Sequence, residues 1–209
     1  MAQPLTVPSM TAGADFVLRP WEMSDLPLVR EAAQDDYIPL VTTIPSPYSD
    51  EAAQAYIRRQ WDRAADGSGY PFTIARTRDR RPVGSIGLWL ADAAQGRATL
   101  GYWMTVPGRR QGVAGAALRT VTTWALHELR IPRVQLLVEP WNTASVRTAE
   151  SADYRREGLL RGWQEIGGRR RDMLMYARLN GDRPSDGTPQ GLSDHSRREA
   201  DGNGRTGPR

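Results

Sequence analysis

From residue 104 to residue 118 the chain reads Met104-Thr105-Val106-Pro107-Gly108-Arg109-Arg110-Gln111-Gly112-Val113-Ala114-Gly115-Ala116-Ala117-Leu118. This sequence predicts the end of an apolar strand, a loop with two arginines, and a glycine-rich segment that begins a helix. The first amide groups of a helix have no acceptor within it, and the positive end of the helix dipole lies there. The segment therefore indicates a binding site for a phosphate-bearing ligand, with an ordinary tight turn from strand to helix as the alternative.

The loop lacks the signatures of two common phosphate-binding sequences. A Walker loop requires Gly-Lys-Ser/Thr, and Gly112-x-Ala114-Gly115 does not have the spacing of a dinucleotide fingerprint. The chain contains neither cysteine nor lysine, and all 28 of its basic residues are arginine. Disulfide frameworks, thiolate nucleophiles, cysteine-ligated metals and lysine Schiff bases are therefore excluded. With His127 and His195 as the only histidines, no metal site is expected.

Length and composition limit the class of protein further. The 209 residues suit one domain of ordinary size with short extensions. No run approaches the roughly 18 to 20 apolar residues of a membrane span, and the first ten residues do not resemble a secretory signal, so a cytoplasmic protein is expected. The formal net charge of +4 suits an anionic ligand but is too small to indicate nucleic acid by itself.

Three regions differ in composition. Residues 1–14 are rich in proline, threonine and alanine and are expected to form a flexible arm. Residues 15–180 combine strand and helix patterns, which predicts one α/β domain. Residues 181–209 contain few apolar side chains and are expected to be disordered. Strands are predicted at about 16–19, 70–77, 83–90, 97–106, 134–138, 155–164 and 170–179, and helices at about 26–34, 50–65, 112–128 and 143–152.

The phosphate loop resembles the Arg/Gln-x-x-Gly-x-Gly/Ala signature of the GCN5-related N-acetyltransferases (GNAT), here Arg109-x-x-Gly112-x-Ala114. In that family the loop holds the pyrophosphate of coenzyme A. Flanking segments also resemble the family: Leu18-Arg19-Pro20 with Asp25, Gly101-Tyr102-Trp103-Met104, Leu136-Leu137-Val138-Glu139-Pro140-Trp141-Asn142-x-x-Ser145, Tyr154-Arg155-Arg156-Glu157-Gly158 and Arg171-Asp172-Met173-Leu174-Met175-Tyr176. The resemblance extends over residues 16–179 and is closest to the RimJ/RimL branch, whose founding members acetylate N-terminal amines of ribosomal proteins.

This resemblance implies a mixed, mostly antiparallel sheet of about six to seven strands, flanked by helices and splayed between its fourth and fifth strands. Acetyl-CoA would lie in the slot, with its pantetheine arm on the backbone of Met104 and Val106. Asn142 would reach the pantetheine or stabilise the slot, and Ser145 would face the sulfur, with capping of the next helix as the alternative for both. The expected cofactor-binding residues are Met104, Thr105, Val106, Arg109, Arg110, Gln111, Gly112, Val113, Ala114, Gly115, Ala116, Asn142 and Ser145.

Two positions depart from the wider family. Many relatives have a glutamate base where this chain has Thr99, and many have a tyrosine acid where it has Ala149. The commonest acid–base pair of the superfamily is therefore absent. The arrangement that resembles RimL, a serine at the Asn-x-x-Ser position, leaves Ser145 as the expected catalytic hydrogen-bond donor to the leaving sulfur.

The sequence indicates the residue that deprotonates the acceptor amine less clearly than it indicates the hydrogen-bond donor. An α-amino group has a pKa of about 7.7 to 8.0, so water relayed to one carboxylate is enough at neutral pH. The predicted catalytic carboxylate is Glu165, close to where RimL-type enzymes carry a glutamate, with an exposed hairpin charge as the alternative. Tyr102 offers a further hydroxyl, with core packing as the alternative, while Glu150 and Asp153 rank lower.

These features predict transfer of an acetyl group from acetyl-CoA to a primary amine by direct attack in a ternary complex, without a metal. The acceptor is either a protein N-terminus, such as that of a ribosomal protein, or a small-molecule amine, and residues 35–70 and 162–170 are expected to form its wall. The alternative is a non-catalytic acyl-CoA-binding module, because the usual acid and base are missing. No membrane or nucleic-acid partner is expected, and formation of a homodimer stays open.

Overall fold

A computed structural model describes residues 3–182 of the chain. The tail that the sequence predicts to be disordered, residues 181–209, lies outside the described residues apart from 181 and 182. No helix within residues 3–182 is long and apolar enough to cross a membrane.

The described residues form eight strands and five α-helices. The strands are β1 (Met10–Ala12), β2 (Phe16–Arg19), β3 (Gly69–Arg76), β4 (Pro82–Trp89), β5 (Arg97–Met104), β6 (Arg133–Val138), β7 (Arg155–Ile166) and β8 (Arg169–Leu179). The helices are α1 (Leu26–Ala33), α2 (Ile38–Val41), α3 (Asp50–Ala65), α4 (Val113–His127) and α5 (Thr143–Ser151), with short 3-10 turns at Met23–Asp25, Ala93–Gln95 and Val106–Gly108.

All eight strands belong to one open sheet in the order β1-β2-β3-β4-β5-β6-β8-β7. Every neighbouring pair is antiparallel except β5 and β6, which are parallel. These two strands pair only from Arg97–Arg133 to Thr99–Gln135 and then separate. The predicted α/β fold is confirmed, since β5 and β6 are the fourth and fifth of the predicted strands and a splay lies between them.

Helices cover both faces of the sheet because alternate residues of a strand point to opposite sides. In β5, Leu100 and Met104 pack in a core with Leu118 and Val121 of α4. Trp103 of the same strand packs in a second core that includes residues of α1 and α3, such as Ile57. The sheet is therefore the middle layer of three, and the split between β5 and β6 connects the two outer sides.

The N-terminal segment is more ordered than its composition suggests. Residues 10–12 form β1, which pairs with β2, and Ala12 is fully buried. The amide of Leu5 also donates to the carbonyl of Ala64 at 2.8 Å. The expected flexible arm over residues 1–14 is therefore wrong for this part, because backbone pairing at the sheet edge and packing of apolar side chains such as Val7 and Met10 order the segment.

One strand end and one additional helix also differ from the sequence prediction. The strand expected to reach Val106 ends at Met104, and a 3-10 turn follows because Pro107 has no amide hydrogen for a sheet. A four-residue helix, α2, lies where none was predicted, since Pro39 is accepted in the first turn of a helix. Both features lie beside the candidate site.

Candidate active site

The split in the sheet leaves one edge of β5 without a partner strand. Beyond Thr99, the residues of β5 up to Met104 pair with β4 on one side only. Val106, just after the strand, is 70% exposed. A strand edge with unpaired amides and carbonyls can bind an extended, amide-containing ligand as a further strand. This edge therefore fits the pantetheine arm that the sequence prediction assigns to Met104 and Val106.

The loop after β5 forms a concave cluster of backbone amides. Arg110 and Gly112 both have positive φ values, 60° and 70°, which turn the chain sharply before α4 begins. The first hydrogen bond of the helix runs from the amide of Ala116 to the carbonyl of Gly112 at 3.1 Å. The preceding amides of Val113, Ala114 and Gly115 therefore have no intrahelical acceptor. The loop has the geometry of an anion site at a helix N-terminus.

The two loop arginines have different surroundings. The Nε of Arg109 donates to the carbonyl of Met104 at 3.1 Å, and its guanidinium also forms an ion pair with Asp35. The guanidinium of Arg110 is exposed and has no partner among residues 3–182. Arg110 is thus the free cation of the loop, whereas Arg109 connects the loop to the segment between α1 and α2.

A cavity of about 550 Å³ lies at the split between β5 and β6. Tyr102, Asn142 and Ser145 line it on the side of α4 and α5, and Trp103 and Glu139 line it from the other side of the sheet. Since lining residues come from both faces, the cavity passes through the sheet. A donor on one side and an acceptor on the other can therefore meet at the split.

Asn142 and Ser145 have separate roles at the start of α5. The Oδ1 of Asn142 accepts the amide hydrogen of Ser145 at 3.1 Å, so Asn142 caps the helix. The Ser145 hydroxyl is not the cap and lies near the hydroxyl of Tyr102, which is buried but makes no hydrogen bond of normal geometry. Burial raises the pKa of Tyr102, and the nearby hydroxyls of Ser145 and Thr148 act in the opposite direction. The capping alternative thus applies to Asn142 and not to the Ser145 side chain.

Glu165 does not line the cavity. Its neighbours Gln164 and Ile166 both do, and alternate residues of a strand face opposite sides, so Glu165 points away. Glu165 is exposed and lies opposite Arg170 of β8. The face of β7 that meets the cavity presents the neutral amide of Gln164, which cannot act as a base.

Glu150, Asp153 and Ala149 also lie outside the cavity, and Thr99, which lines it, is not a carboxylate base. Glu150 accepts a hydrogen bond from the Tyr176 hydroxyl at 3.1 Å, and Asp153 lies 4.0 Å from Arg178. Ala149 is fully buried in the core, and Thr99 accepts a weak hydrogen bond from Gln135 at 3.3 Å. Ser145 is the one predicted catalytic residue that the structure brings into the cavity.

Glu139, which the sequence reasoning did not select, is the one carboxylate among the described cavity-lining residues. It directly follows β6, is 3% exposed, and accepts a hydrogen bond from the Tyr37 hydroxyl at 2.5 Å. The Nε of Arg171 lies 3.7 Å from its other oxygen. Burial and the Glu139 carboxylate raise the pKa of Tyr37, so this hydroxyl stays protonated and donates. A charged residue at the carboxyl end of a buried strand was the signal available in the sequence.

The expected acceptor wall does line the cavity. Leu40, Tyr56 and Arg63 contribute from residues 35–70, and Gln164 and Ile166 from the β7–β8 hairpin. Trp89 also lines the cavity, and the guanidinium of Arg63 lies 4.9 Å from the centre of its ring. Trp141 does not line the cavity; it is exposed and packs edge-on against Tyr37. The acceptor side combines aromatic, aliphatic and neutral polar side chains with one anion, Glu139, and one cation, Arg63.

Comparison with known proteins identifies relatives of the whole domain. Residues 15–155 match the model of the acetyltransferase (GNAT) domain family. The probable N-acetyltransferase YjcK of Bacillus subtilis is 28% identical over 178 residues, which cover 83% of this chain and 98% of YjcK.

Solved structures share the fold. RimL, a ribosomal alpha-N-protein acetyltransferase in complex with coenzyme A, has a TM-score of 0.70 at 19% identity and covers 84% of this chain and 100% of its own. RimJ of Mycobacterium smegmatis, in complex with CoA-disulfide, has a TM-score of 0.70 at 24% identity and covers 82% and 85%. Because the family model spans more than half of the residues, the chain belongs to the GNAT family of acetyltransferases and is an acyltransferase.

Proposed function

We propose that this protein is an acetyl-CoA-dependent N-acetyltransferase of the RimJ/RimL type, which acetylates a primary amine by direct attack in a ternary complex. One observation carries the proposal: a free strand edge of β5 and an acceptor wall meet at one cavity through the sheet, and the amide-lined anion loop directly follows that strand. RimL and RimJ are both described in complex with forms of coenzyme A, which supports this cosubstrate.

The residues that bind acetyl-CoA follow from this arrangement. The backbone of Met104 and Val106 pairs with the pantetheine arm, and Thr105 holds the strand end by donating its hydroxyl to the Val83 carbonyl at 3.1 Å. The amides of residues 110–116 surround the pyrophosphate, with Arg110 as the free cation. Asn142 orients the start of α5 and faces the slot.

Acetyl transfer then needs a neutral amine, a polarised carbonyl and a protonated leaving sulfur. The amide of Met104 or Val106 donates to the thioester oxygen as negative charge develops there. The Ser145 hydroxyl donates to the sulfur as the carbon–sulfur bond breaks. The amine enters from the side of Tyr56 and Trp89, opposite the cosubstrate.

A non-catalytic acyl-CoA-binding module is the second candidate. Thr99, Ala149 and Gln164 occupy positions where an acid or base would serve the reaction, and none of them can exchange a proton at neutral pH. Such a protein would bind coenzyme A tightly and transfer nothing.

A thiol-release assay separates the two candidates. The protein is mixed with acetyl-CoA and a panel of α-amino peptides, amino acids, polyamines and other small amines, and binding of coenzyme A is measured by calorimetry. We expect turnover with at least one primary amine. Tight binding without turnover on any amine would establish the binding module instead.

A further inference from the structure

One buried carboxylate in the cavity is not used by the chemistry above. Glu139 directly follows β6, beyond the point where β5 and β6 separate, and lines the cavity on the side of the acceptor wall. It shares the cavity with Ser145 and Asn142, and its backbone carbonyl accepts the amide hydrogen of Asn142 at 2.9 Å. The residue is thus tied to the element that carries the hydroxyl facing the sulfur.

The carboxylate keeps unused capacity to accept hydrogen bonds. An ionised carboxylate offers about four acceptor positions. In this structure Oε2 accepts from Tyr37, whereas Oε1 lies 3.7 Å from the Nε of Arg171, which is beyond hydrogen-bond distance. That Nε is itself buried without a hydrogen-bond partner. Oε1 is therefore open to a donor from a ligand.

The charges near Glu139 favour a cationic ligand. Arg171 is 43% exposed, so water screens much of its charge, whereas Glu139 is almost fully buried. Among residues 3–182, Glu139 has one neutral hydrogen-bond donor, Tyr37, and no cation within hydrogen-bond distance. Burial of a carboxylate that is only partly compensated is costly, and an ammonium group that donates to it lowers this cost. The guanidinium of Arg63 packs on Trp89, beside the paired part of β5, and belongs to another part of the cavity.

We propose, on the basis of the acetyltransferase function above, that Glu139 is the residue that binds the acceptor ammonium and accepts its proton. The ammonium group gives one proton to Glu139, and the neutral nitrogen forms a bond to the thioester carbonyl carbon. The carbon–sulfur bond breaks, and the sulfur leaves as a thiolate that takes up the second proton lost by the nitrogen. The third hydrogen stays on the amide, and Glu139 returns its proton to water.

Tyr37 and Arg171 are positioning residues in this scheme. The Tyr37 hydroxyl fixes the rotamer of Glu139 by a short hydrogen bond, and Arg171 limits its other oxygen to the cavity side. A purely structural role for Glu139, in which it only connects the segment before α2 to β6, is the competing explanation.

Glu139→Gln tests the proposal, since it keeps the shape and can still accept from Tyr37. The probe is the amine with the highest kcat/KM in the panel above. Its N-acetyl product, in which the amine is already acetylated, is the negative control. We expect kcat/KM for the amine to fall about 100-fold or more, the usual effect of a positioned base. Calorimetry without acetyl-CoA should show weaker amine binding, while the KM for acetyl-CoA and the melting temperature stay unchanged.

Three further variants and the wild type complete the test. Glu128→Gln, at the exposed far end of α4, is the matched control and should behave as wild type. Glu165→Gln tests the other carboxylate. If kcat/KM falls 100-fold in Glu165→Gln and changes less than threefold in Glu139→Gln, the proposal for Glu139 is wrong, while the acetyltransferase function stands. Tyr37→Phe should lower kcat/KM less than Glu139→Gln does; unchanged kinetics with a lower melting temperature in both variants would establish the structural role. If the wild type shows no turnover with any amine of the panel, the proposed acetyltransferase function is wrong.

Discussion

At the scale of single residues, the first turn of α5 divides two tasks between neighbouring polar side chains. Asn142 caps the helix, and the Ser145 hydroxyl lies in the cavity near Tyr102. A cap stabilises the fold, whereas a hydroxyl placed at a leaving sulfur acts on the rate. Single substitutions can therefore separate stability from catalysis within four residues of sequence.

Ser145→Ala is expected to lower kcat and kcat/KM together by about 100-fold, because its hydrogen bond strengthens as the sulfur acquires charge. The KM for acetyl-CoA should change little, since a neutral thioester sulfur is a poor acceptor. Asn142→Ala is the comparison variant and should lose about 1 kcal/mol of stability. Melting temperatures and steady-state rates of both proteins check this. A destabilised Ser145→Ala protein with normal activity would refute the catalytic role.

Gly112 provides a second residue-scale prediction. Its φ of 70° is a conformation that asparagine and aspartate tolerate better than other side chains, and a Cβ there would meet no atom within 4 Å. Gly112→Asp and Gly112→Asn therefore differ mainly in charge. We expect the aspartate variant to bind coenzyme A at least about 10-fold more weakly than the asparagine variant, a difference of about 1.4 kcal/mol. Equal dissociation constants in calorimetry would contradict the anion-loop assignment.

At the scale of elements, the connection between α1 and α2 is joined to the phosphate loop. Asp35 accepts hydrogen bonds from the amides of Tyr37 and Ile38 and pairs with Arg109. Burial opposes ionisation of Asp35, but these amides and Arg109 outweigh it and lower its pKa. The same connection carries Tyr37, so the acceptor wall and the cosubstrate loop share one short segment.

This ion pair predicts opposite effects of two substitutions on coenzyme A binding. Arg109→Ala should weaken binding about 10-fold or more, because a cation beside the pyrophosphate is lost. Asp35→Asn keeps an oxygen for the two amides but removes the charge that competes for Arg109, so binding should tighten by about threefold. Calorimetry at low salt measures both. If Asp35→Asn weakens binding as much as Arg109→Ala does, the pair holds Arg109 in place rather than competing with the ligand.

At the scale of the whole molecule, the sheet extends one strand further than its sequence pattern indicates. β1 pairs with β2 at the edge, and the hydroxyl of Thr120 in α4 donates to the carbonyl of Thr11 at 3.2 Å. Leu5, Val7 and Met10 also pack against the main core. The N-terminal segment therefore closes one side of the layer that holds α4.

Removal of residues 1–12 is expected to destabilise the protein by about 2 kcal/mol, because these contacts and the edge pairing of β2 are lost. For a domain of this size that corresponds to about 4 to 8 °C in Tm. Removal of residues 1–4 is the control, since Gln3 and Pro4 are exposed and Leu5 keeps its hydrogen bond. Thermal denaturation of both truncated proteins checks the prediction, and equal melting temperatures would show that β1 contributes nothing.

The sequence by itself determined the local features of this protein. Apolar patterns, proline and glycine turn residues and the family resemblance together place seven of the eight strands, and the glycine at 112 with the helix pattern after it places the anion loop. These features depend on neighbours within a few residues, so propensity and periodicity are enough to predict them. The family signature around Arg109 and Asn142 is local in the same sense.

The tertiary structure alone decided which side chains meet at the cavity. A shift of one residue turns every side chain of a strand to the other face, and the irregular pairing between Leu160 and Gln164 sets that register, so Gln164 rather than Glu165 faces the split. The Glu139 carboxylate accepts a hydrogen bond from Tyr37, 102 residues away in sequence, and Arg109 forms an ion pair with Asp35, 74 residues away. Such contacts join distant parts of the chain, and no periodicity within one segment contains them.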